Sequence, residues 1–225
     1  DHGEFLGVLP RIRAGDPELL ATAVGRRWHG YMQAGEDRTL FDEILGILNG
    51  TDPTRLEDEK LRTIWQDVGA TAEDFYRPGF FTTFVAYEWT SAPRDSNLHR
   101  VVLFKDGPDK TDKVRPFSAQ DSEDPEALWD FLAGYESNVG GEVLAIPHNA
   151  NLSTGLMFAP ETLGGQSFTR EYAETRRRWE PLLEVTQVKG DSETHALLSP
   201  DDKFADFETW DSWYVPDTPA DKLPG

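Results

Sequence analysis

Residues 143–149, Val143-Leu144-Ala145-Ile146-Pro147-His148-Asn149, form an apolar run that ends in a proline, a histidine and an asparagine. Gly140 and Gly141 come just before the run, and a short apolar segment bounded by such turn residues is typical of a buried strand. His148 then follows the carboxyl end of the strand, which is where open α/β sheets and barrels carry their chemistry. This segment therefore predicts both a central strand and a candidate functional residue.

Two other segments have the same design. Phe84-Val85-Ala86-Tyr87-Glu88 is an apolar strand that ends in a carboxylate. Leu182-Leu183-Glu184-Val185 is followed, after a turn at Gly190, by His195, and the chain itself opens on Asp1-His2. Several strands are therefore expected to bring side chains that can bind metal to one rim of a sheet.

Helices are predicted for residues 11–77 and between the later strands. In the first region Asp16 is a cap residue and Pro17 occupies the first helical position, and two further apolar stripes follow, the first of them ended by Gly50. Residues 106–123 are polar and contain proline, and they are predicted to form a long loop. Three later helices are predicted to begin at Asp124-Pro125, Glu171 and Ser199-Pro200.

Strands are predicted at 80–90, 98–104, 143–147 and 182–188. The connection 91–97 is too short for the crossover that a parallel pair requires, so the first two strands should be antiparallel. The alternation of helices and strands indicates an α/β fold with a mixed sheet. We expect a single domain over 1–225, with a helical region at 11–77, a strand–helix core at 80–210 and an irregular tail at 211–225.

Composition limits the partners. The 225 residues are 38% hydrophobic and carry a formal net charge of −19, so binding of nucleic acid through a basic surface is not expected. No run approaches the roughly 18 apolar residues of a membrane span. The absence of cysteine excludes disulfides and thiolate ligands and leaves the compartment open. Because the chain starts at Asp1 without a methionine, we expect it to be a piece of a longer protein.

Four side chains are candidate metal ligands: His2, Glu88, His148 and His195. Neutral imidazole and carboxylate are the ligands that zinc, manganese and iron take in proteins. The alternative is that these histidines are hydrogen-bonded core or rim residues, since no pair falls in a compact motif such as H-E-x-x-H. The chain also lacks the G-x-S-x-G elbow, the phosphate-binding loop and the dinucleotide-binding glycine pattern.

Asn97-Leu98-His99-Arg100 opens the strand that should run antiparallel to the Glu88 strand, so its polar groups should lie near the same rim. Arg100 would suit a bidentate contact with an anionic substrate. A structural salt bridge is the alternative for this arginine.

Several motifs taken together resemble a large bacterial family related to the PHP (polymerase and histidinol phosphatase) superfamily. The segments that carry the resemblance are Asp1-His2-Gly3-Glu4-Phe5-Leu6-Gly7, Tyr87-Glu88-Trp89-Thr90-Ser91, Asn97-Leu98-His99-Arg100, Ile146-Pro147-His148-Asn149, Gln187-Val188-Lys189-Gly190 with Ser192-Glu193, and Phe204-Ala205-Asp206-Phe207-Glu208. Together they extend over nearly the whole chain.

The resemblance implies a distorted (β/α)7 barrel with two or three divalent transition metal ions (Zn, Mn or Fe) that hydrolyses phosphoesters. By motif, Glu88 would bridge two metals and His2, His148 and His195 would be further ligands, with Glu88 and His148 central to catalysis. His99, Arg100 and Asn149 would bind a small anionic substrate.

The H-x-H and D-x-H elements that open and close such a domain are not in this chain, so the resemblance implies an incomplete barrel with a helical insertion. We therefore expect the central part of a metal-dependent phosphoesterase that is inactive as this fragment and self-associates. The alternative is a non-catalytic module that binds carbohydrate or protein through tryptophan-rich loops.

Overall fold

The computed structural model describes residues 1–48 and 52–207 and has an α/β fold, as the sequence predicts. Gly50, Glu208 and the predicted tail at 211–225 lie outside the described residues. The helices are α1 Val8–Arg13, α2 Pro17–Leu20, α3 Ala23–Ala34, α4 Asp37–Leu48, α5 Asp58–Phe75, α6 Pro108–Thr111, α7 Pro125–Val139 and α8 Arg170–Trp179. The strands are β1 Val85–Trp89, β2 Arg100–Phe104, β3 Val143–Pro147, β4 Thr186–Gln187 and β5 Gly190–Asp191. No helix in the described ranges has both the length and the apolar character needed to cross a membrane.

The main sheet has the order β1-β2-β3, and both neighbouring pairs are antiparallel. The prediction of a mixed sheet was therefore wrong for these strands, and a parallel contact occurs only as an isolated bridge between His2 and Glu88 within the described residues. In this register Glu88 lies opposite Val101, and Val101 lies opposite Ile146 on the other side. Because β2 runs antiparallel to both neighbours, the carboxyl ends of β1 and β3 lie at the same end of the sheet as the start of β2. This end of the sheet is the shared edge. The predicted antiparallel pairing is confirmed, and this shared edge carries the candidate site.

Two contacts extend the sheet on its outer sides. The amide of Glu88 donates to the carbonyl of Asp1 at 2.9 Å, and the carbonyl of Glu88 accepts the amide of Gly3 at 2.8 Å. These two hydrogen bonds place His2 in a parallel bridge beside β1. On the other side the amide of Glu184 donates to the carbonyl of Pro147 at 3.1 Å. The strands of the described residues form this sheet and the β4–β5 hairpin, and they do not close into a barrel.

The two faces of the sheet differ in burial, because alternate side chains of a strand point to opposite faces. One face packs on helices: Trp65 of α5 contacts Tyr87 and Phe104 with ring centroids 5.8 Å apart in each case. The alternate residues, such as Ala86 and Val101, are only half-buried. Glu88 belongs to this second, more open face.

Two predicted strands are shorter than expected. In 80–90 only Val85–Trp89 is a strand, because β2 offers partners only to these five residues, and Phe80 is exposed. In 182–188 only Thr186–Gln187 pairs, with Gly190–Asp191, because the segment makes a single backbone hydrogen bond to β3. The prediction of a full strand over 182–188 was wrong.

The helical region also differs in detail. The carboxylate of Asp16 caps α2 as predicted, but the helix stops after Leu20 because Thr22 begins a new one and accepts the amide of Gly25 at 2.9 Å. The predicted loop 106–123 contains the short helix α6. After Ser199-Pro200 the described residues form turns in place of the predicted helix.

Candidate metal centre

Glu88, His99 and His148 form a compact cluster at the shared edge of the sheet. Their ligand atoms all lie within 4.8 Å of one another. The Nδ1 atom of His99 is 2.8 Å from Oε1 of Glu88, and Nε2 of His148 is 3.2 Å from the same oxygen. The structure therefore brings together the two residues predicted as the centre of the site and adds His99, which was predicted to bind substrate.

Hydrogen bonds from the backbone amides fix the positions of both histidines. The amide of His99 donates to Oδ1 of Asn97 at 2.8 Å, and the amide of His148 donates to the carbonyl of His99 at 3.3 Å. Asn149 then adopts a left-handed conformation with φ of 52°, and its amide donates to Oε2 of Glu184 at 3.0 Å. This turn directs the chain away from the sheet directly after His148.

The donor set fits a divalent transition metal ion. The Nδ1 atoms of His99 and His148 are buried and have no hydrogen-bond partner among the described residues. Nδ1 of His99 and Oε1 of Glu88 face each other at 2.8 Å, so both can turn to the same ion. Two imidazoles and a carboxylate are a common ligand combination for zinc and other first-row metals.

The electrostatics of the cluster favour the protonation states that bind metal. Burial alone would raise the pKa of Glu88, but the surrounding imidazoles of His148 and His99 hold that pKa far below its usual value. Burial lowers the pKa of His99 despite the neighbouring carboxylate. At neutral pH the cluster thus presents an ionised carboxylate and a neutral His99 imidazole, as metal coordination requires.

His2 approaches the other oxygen of Glu88. Its Nδ1 lies 3.4 Å from Oε2 of Glu88 and 2.7 Å from the hydroxyl oxygen of Thr90. Burial lowers the pKa of His2 as well, so its imidazole is neutral at neutral pH. The carboxylate of Glu88 therefore has two histidines beside Oε1 and one beside Oε2.

Glu4 is a buried carboxyl group that the sequence reasoning did not select. Its Oε1 accepts the amide of Ala119 at 2.9 Å, while Oε2 has no hydrogen-bond partner among the described residues. Burial, with a smaller contribution from the charge of Glu88, raises the pKa of Glu4 to about 7. An acidic residue two positions after His2 and directly before the apolar pair Phe5-Leu6 was the available signal.

Arg100 makes the salt bridge that was the alternative to substrate binding. Its Nε donates to Oε1 of Glu180 at 3.0 Å, and both side chains are almost fully buried. The guanidinium also lies 5.6 Å from the ring centroid of Trp89. Since neighbouring residues of an extended chain point to opposite faces, Arg100 is directed away from the His99 cluster.

The remaining predicted residues are outside the cluster of ligand atoms. His195 is half-buried, and its Nδ1 accepts the amide of Leu197 at 3.1 Å. The side-chain amide of Asn149 donates to Oδ1 of Asn151 at 3.4 Å, and its own Oδ1 is buried. A ligand role for His195 and a substrate role for Asn149 stay predictions.

The chain belongs to the family described as "Protein of unknown function (DUF3604)", whose model matches residues 1–223. No curated protein and no solved structure matches the chain. The Glu88–His99–His148 cluster lies within the matched range.

Proposed function

We propose that this chain is the central part of a metal-dependent hydrolase and that its substrate is a phosphoester. The observation that carries the proposal is the convergence of Glu88, His99 and His148 within 4.8 Å at one edge of the sheet. A buried imidazole nitrogen without a hydrogen-bond partner is costly unless something binds it, and a cation held at the cluster would satisfy Nδ1 of His99.

In this proposal Glu88, His99 and His148 would hold one metal ion, and His2, which lies beside the other oxygen of Glu88, would be a ligand of a second ion. The hydroxyl of Thr90 fixes the orientation of the His2 ring through its contact with Nδ1, as outer-shell partners do in known metal sites. A metal ion held here supplies Lewis acidity, which activates water and polarises a phosphoryl oxygen. The role of the protein is to fix the ligands on paired strands.

The proposal also concerns the fold of the longer protein. We propose that the sheet belongs to a PHP-like barrel whose other strands lie in flanking sequence, because β1 and β3 end at the same rim as the His2 bridge. Those flanks would supply the H-x-H and D-x-H ligands. We accordingly expect residues 1–225 alone to bind metal more weakly, and to turn over phosphoesters more slowly, than a longer protein that carries both elements.

The tryptophans that the structure describes do not support the non-catalytic alternative. The five tryptophans that the structure describes are at most 8% exposed and belong to the core, so they offer no stacking surface for a sugar ring. Trp210 and Trp213 lie outside the described residues.

Metal analysis of the purified chain tests the proposal. After exposure to Zn²⁺, Mn²⁺ or Fe²⁺ and removal of free ion, we expect retained metal, and we expect Glu88→Gln to weaken binding by about 100-fold or more, above the 10–100-fold typical of outer-shell residues. His29→Gln, on helix α3 in the helical region, is the matched control and should retain the metal. Equal metal content in Glu88→Gln and the parent chain would reject the centre.

Two further experiments test whether His195 is a metal ligand and whether the protein hydrolyses phosphoesters. On the observed geometry His195→Gln should leave metal content unchanged, whereas a loss like that of Glu88→Gln would place His195 among the ligands as the resemblance implies. Hydrolysis of p-nitrophenyl phosphate and bis(p-nitrophenyl) phosphate, by this chain and by a longer one with both flanks, tests the reaction. Metal retention without hydrolysis by the longer protein would favour the binding module.

A further inference from the structure

A second feature lies on the other face of the sheet from the metal cluster. A cavity of about 150 Å³ opens between the segment around Arg94, the loop 156–168 and helix α8. Arg94, Arg100 and Arg176 supply its cationic groups, and Leu98, Phe168 and Tyr172 are among its apolar walls. Three guanidiniums around one small cavity are unexpected in a chain with a net charge of −19.

Two of these arginines are fixed by one buried carboxylate. Arg100 donates from Nε to Oε1 of Glu180 at 3.0 Å, and Arg176 donates from Nε to Oε2 at 3.0 Å. Trp129 adds a hydrogen bond from Nε1 to Oε1 at 2.9 Å, and Glu180 is almost fully buried. One carboxylate between two guanidiniums leaves one positive charge uncompensated, and both arginines are held in place before any ligand arrives.

The residues that line the cavity carry an excess of positive charge. Arg94 stands exposed at the rim, and the only carboxylate among the lining residues is Glu161. Behind the lining, Glu180 holds two of the arginines and Glu126 lies near Tyr172. The Nη2 atom of Arg176 is buried without a hydrogen-bond partner among the described residues, and a buried donor of this kind gains most from an added acceptor.

Part of the lining is apolar and aromatic. Phe168 and Tyr172 both line the cavity, and their rings stack with centroids 4.2 Å apart. A cavity of about 150 Å³ accommodates a molecule of the size of benzene. The cavity therefore combines a preorganised cationic side with an apolar wall that suits one ring.

We propose that this cavity binds a small organic anion, with an oxyanion head group at Arg100 and Arg176 and an apolar body of about one ring against Phe168 and Tyr172. Guanidiniums suit carboxylate and phosphate head groups because they donate in a planar fork. Since Arg100 and His99 point to opposite faces, the anion site is separate from the proposed metal centre and does not depend on it.

Calorimetric titration of the whole chain with benzoate, in the presence of EDTA, tests the proposal. We expect benzoate to bind with a dissociation constant in the millimolar range or below, and the neutral analogue benzyl alcohol to bind about tenfold more weakly or not at all, as expected when one hydrogen bond to a charged group is lost. Absence of benzoate binding, or equal affinity for benzyl alcohol, would overturn the proposal.

Arg176→Gln and Arg177→Gln are a matched pair on α8, because they remove the same charge from neighbouring positions and only Arg176 lines the cavity. Arg176→Gln should weaken benzoate binding by about tenfold or more, while Arg177→Gln should leave it nearly unchanged because an exposed charge outside the cavity is screened by salt. If both variants weaken benzoate binding equally, the effect is nonspecific electrostatic attraction, and the site is rejected.

Two further variants address a folding defect in Arg176→Gln and the location of the bound anion. If circular dichroism shows that Arg176→Gln does not fold, Arg176→Lys replaces it, because lysine keeps the charge but lacks the planar fork, and unchanged affinity in that variant rejects the site. Glu88→Gln should bind benzoate as the parent chain does. Loss of benzoate binding in Glu88→Gln would place the anion at the metal cluster, which overturns this inference and leaves the proposed hydrolase standing.

Discussion

The sheet edge that carries Glu88 and His148 and the segment 182–199 that carries His195 are held in different ways. Every residue of β2 has a partner on both β1 and β3. The later segment pairs only through the two-residue strands β4 and β5, and Val188 and Leu197 are 91% and 78% exposed. A side chain is therefore held in place where its strand pairs along its whole length and the alternate side chains are buried. His148, which directly follows β3, meets these conditions, whereas His195 does not.

The largest difference between the two regions should be in stability. Phe104 of β2 is fully buried against Trp65, Tyr87 and Tyr135, so Phe104→Ala should lower the free energy of unfolding by about 3–5 kcal/mol. Leu182→Ala removes a side chain that is 57% exposed and should change it by less than about 0.5 kcal/mol. Urea unfolding of both variants measures the contrast.

Equal losses in the two variants would show that the segment 182–199 packs as firmly as the sheet. The sheet and this segment would then not differ in how firmly they are held, and the placement of His195 outside the cluster would have to be revised.

The same contrast explains which parts could be predicted from the sequence. Residues 143–147 and 98–104 carry dense apolar runs, and the short link 91–97 fixed the antiparallel pairing, so the meeting of Glu88 with His148 followed from local patterns. Residues 182–188 are also apolar, but a strand exists only where a partner edge is available, and local sequence does not report that. Glu4 and the role of His99 were missed because their partners come from distant segments, Ala119 and Glu88.

The next effect concerns pH and the buried carboxyl of Glu4. Its pKa of about 7 in the folded chain exceeds the value of 4.5 expected without burial, so the folded state binds more protons between these values. The contribution of Glu4 to stability is therefore fully present below about pH 4.5 and is lost as the pH rises through 7, by about 3 kcal/mol in total at 1.36 kcal/mol per pKa unit.

Glu4→Gln should remove this loss, so that the variant gains on the parent chain between pH 5 and pH 8 in metal-free buffer. Glu193→Gln, at an exposed position of the later segment, is the control and should follow the parent profile within about 0.5 kcal/mol. If Glu4→Gln and the parent chain lose stability in parallel over this range, the carboxyl of Glu4 does not titrate in the folded state as described.

The smallest expected effect is on assembly. No strand within 1–48 or 52–207 pairs along the outer edge of β1 beyond the His2 bridge, and the sheet face that carries Glu88 is only half-buried. Leu182 and Val185, close to the β3 edge through the contact of Glu184, are 57% and 48% exposed. Open edges and exposed apolar surface favour association with another chain, so we expect light scattering at micromolar concentration to give a mass above 25.4 kDa.

Leu182→Glu places a charge in this surface and should shift the mass towards the monomer, because burying an unpaired carboxylate in an interface is costly. Phe41→Glu, which introduces the same charge at a similarly exposed apolar residue of helix α4, should leave the mass unchanged. A parent chain that stays at 25.4 kDa throughout the concentration range would mean that the sheet edge is closed well enough on its own. The weakly held segment 182–199 would then be sufficient cover for β3, and the proposed barrel would not need flanking strands to shield this side of the sheet.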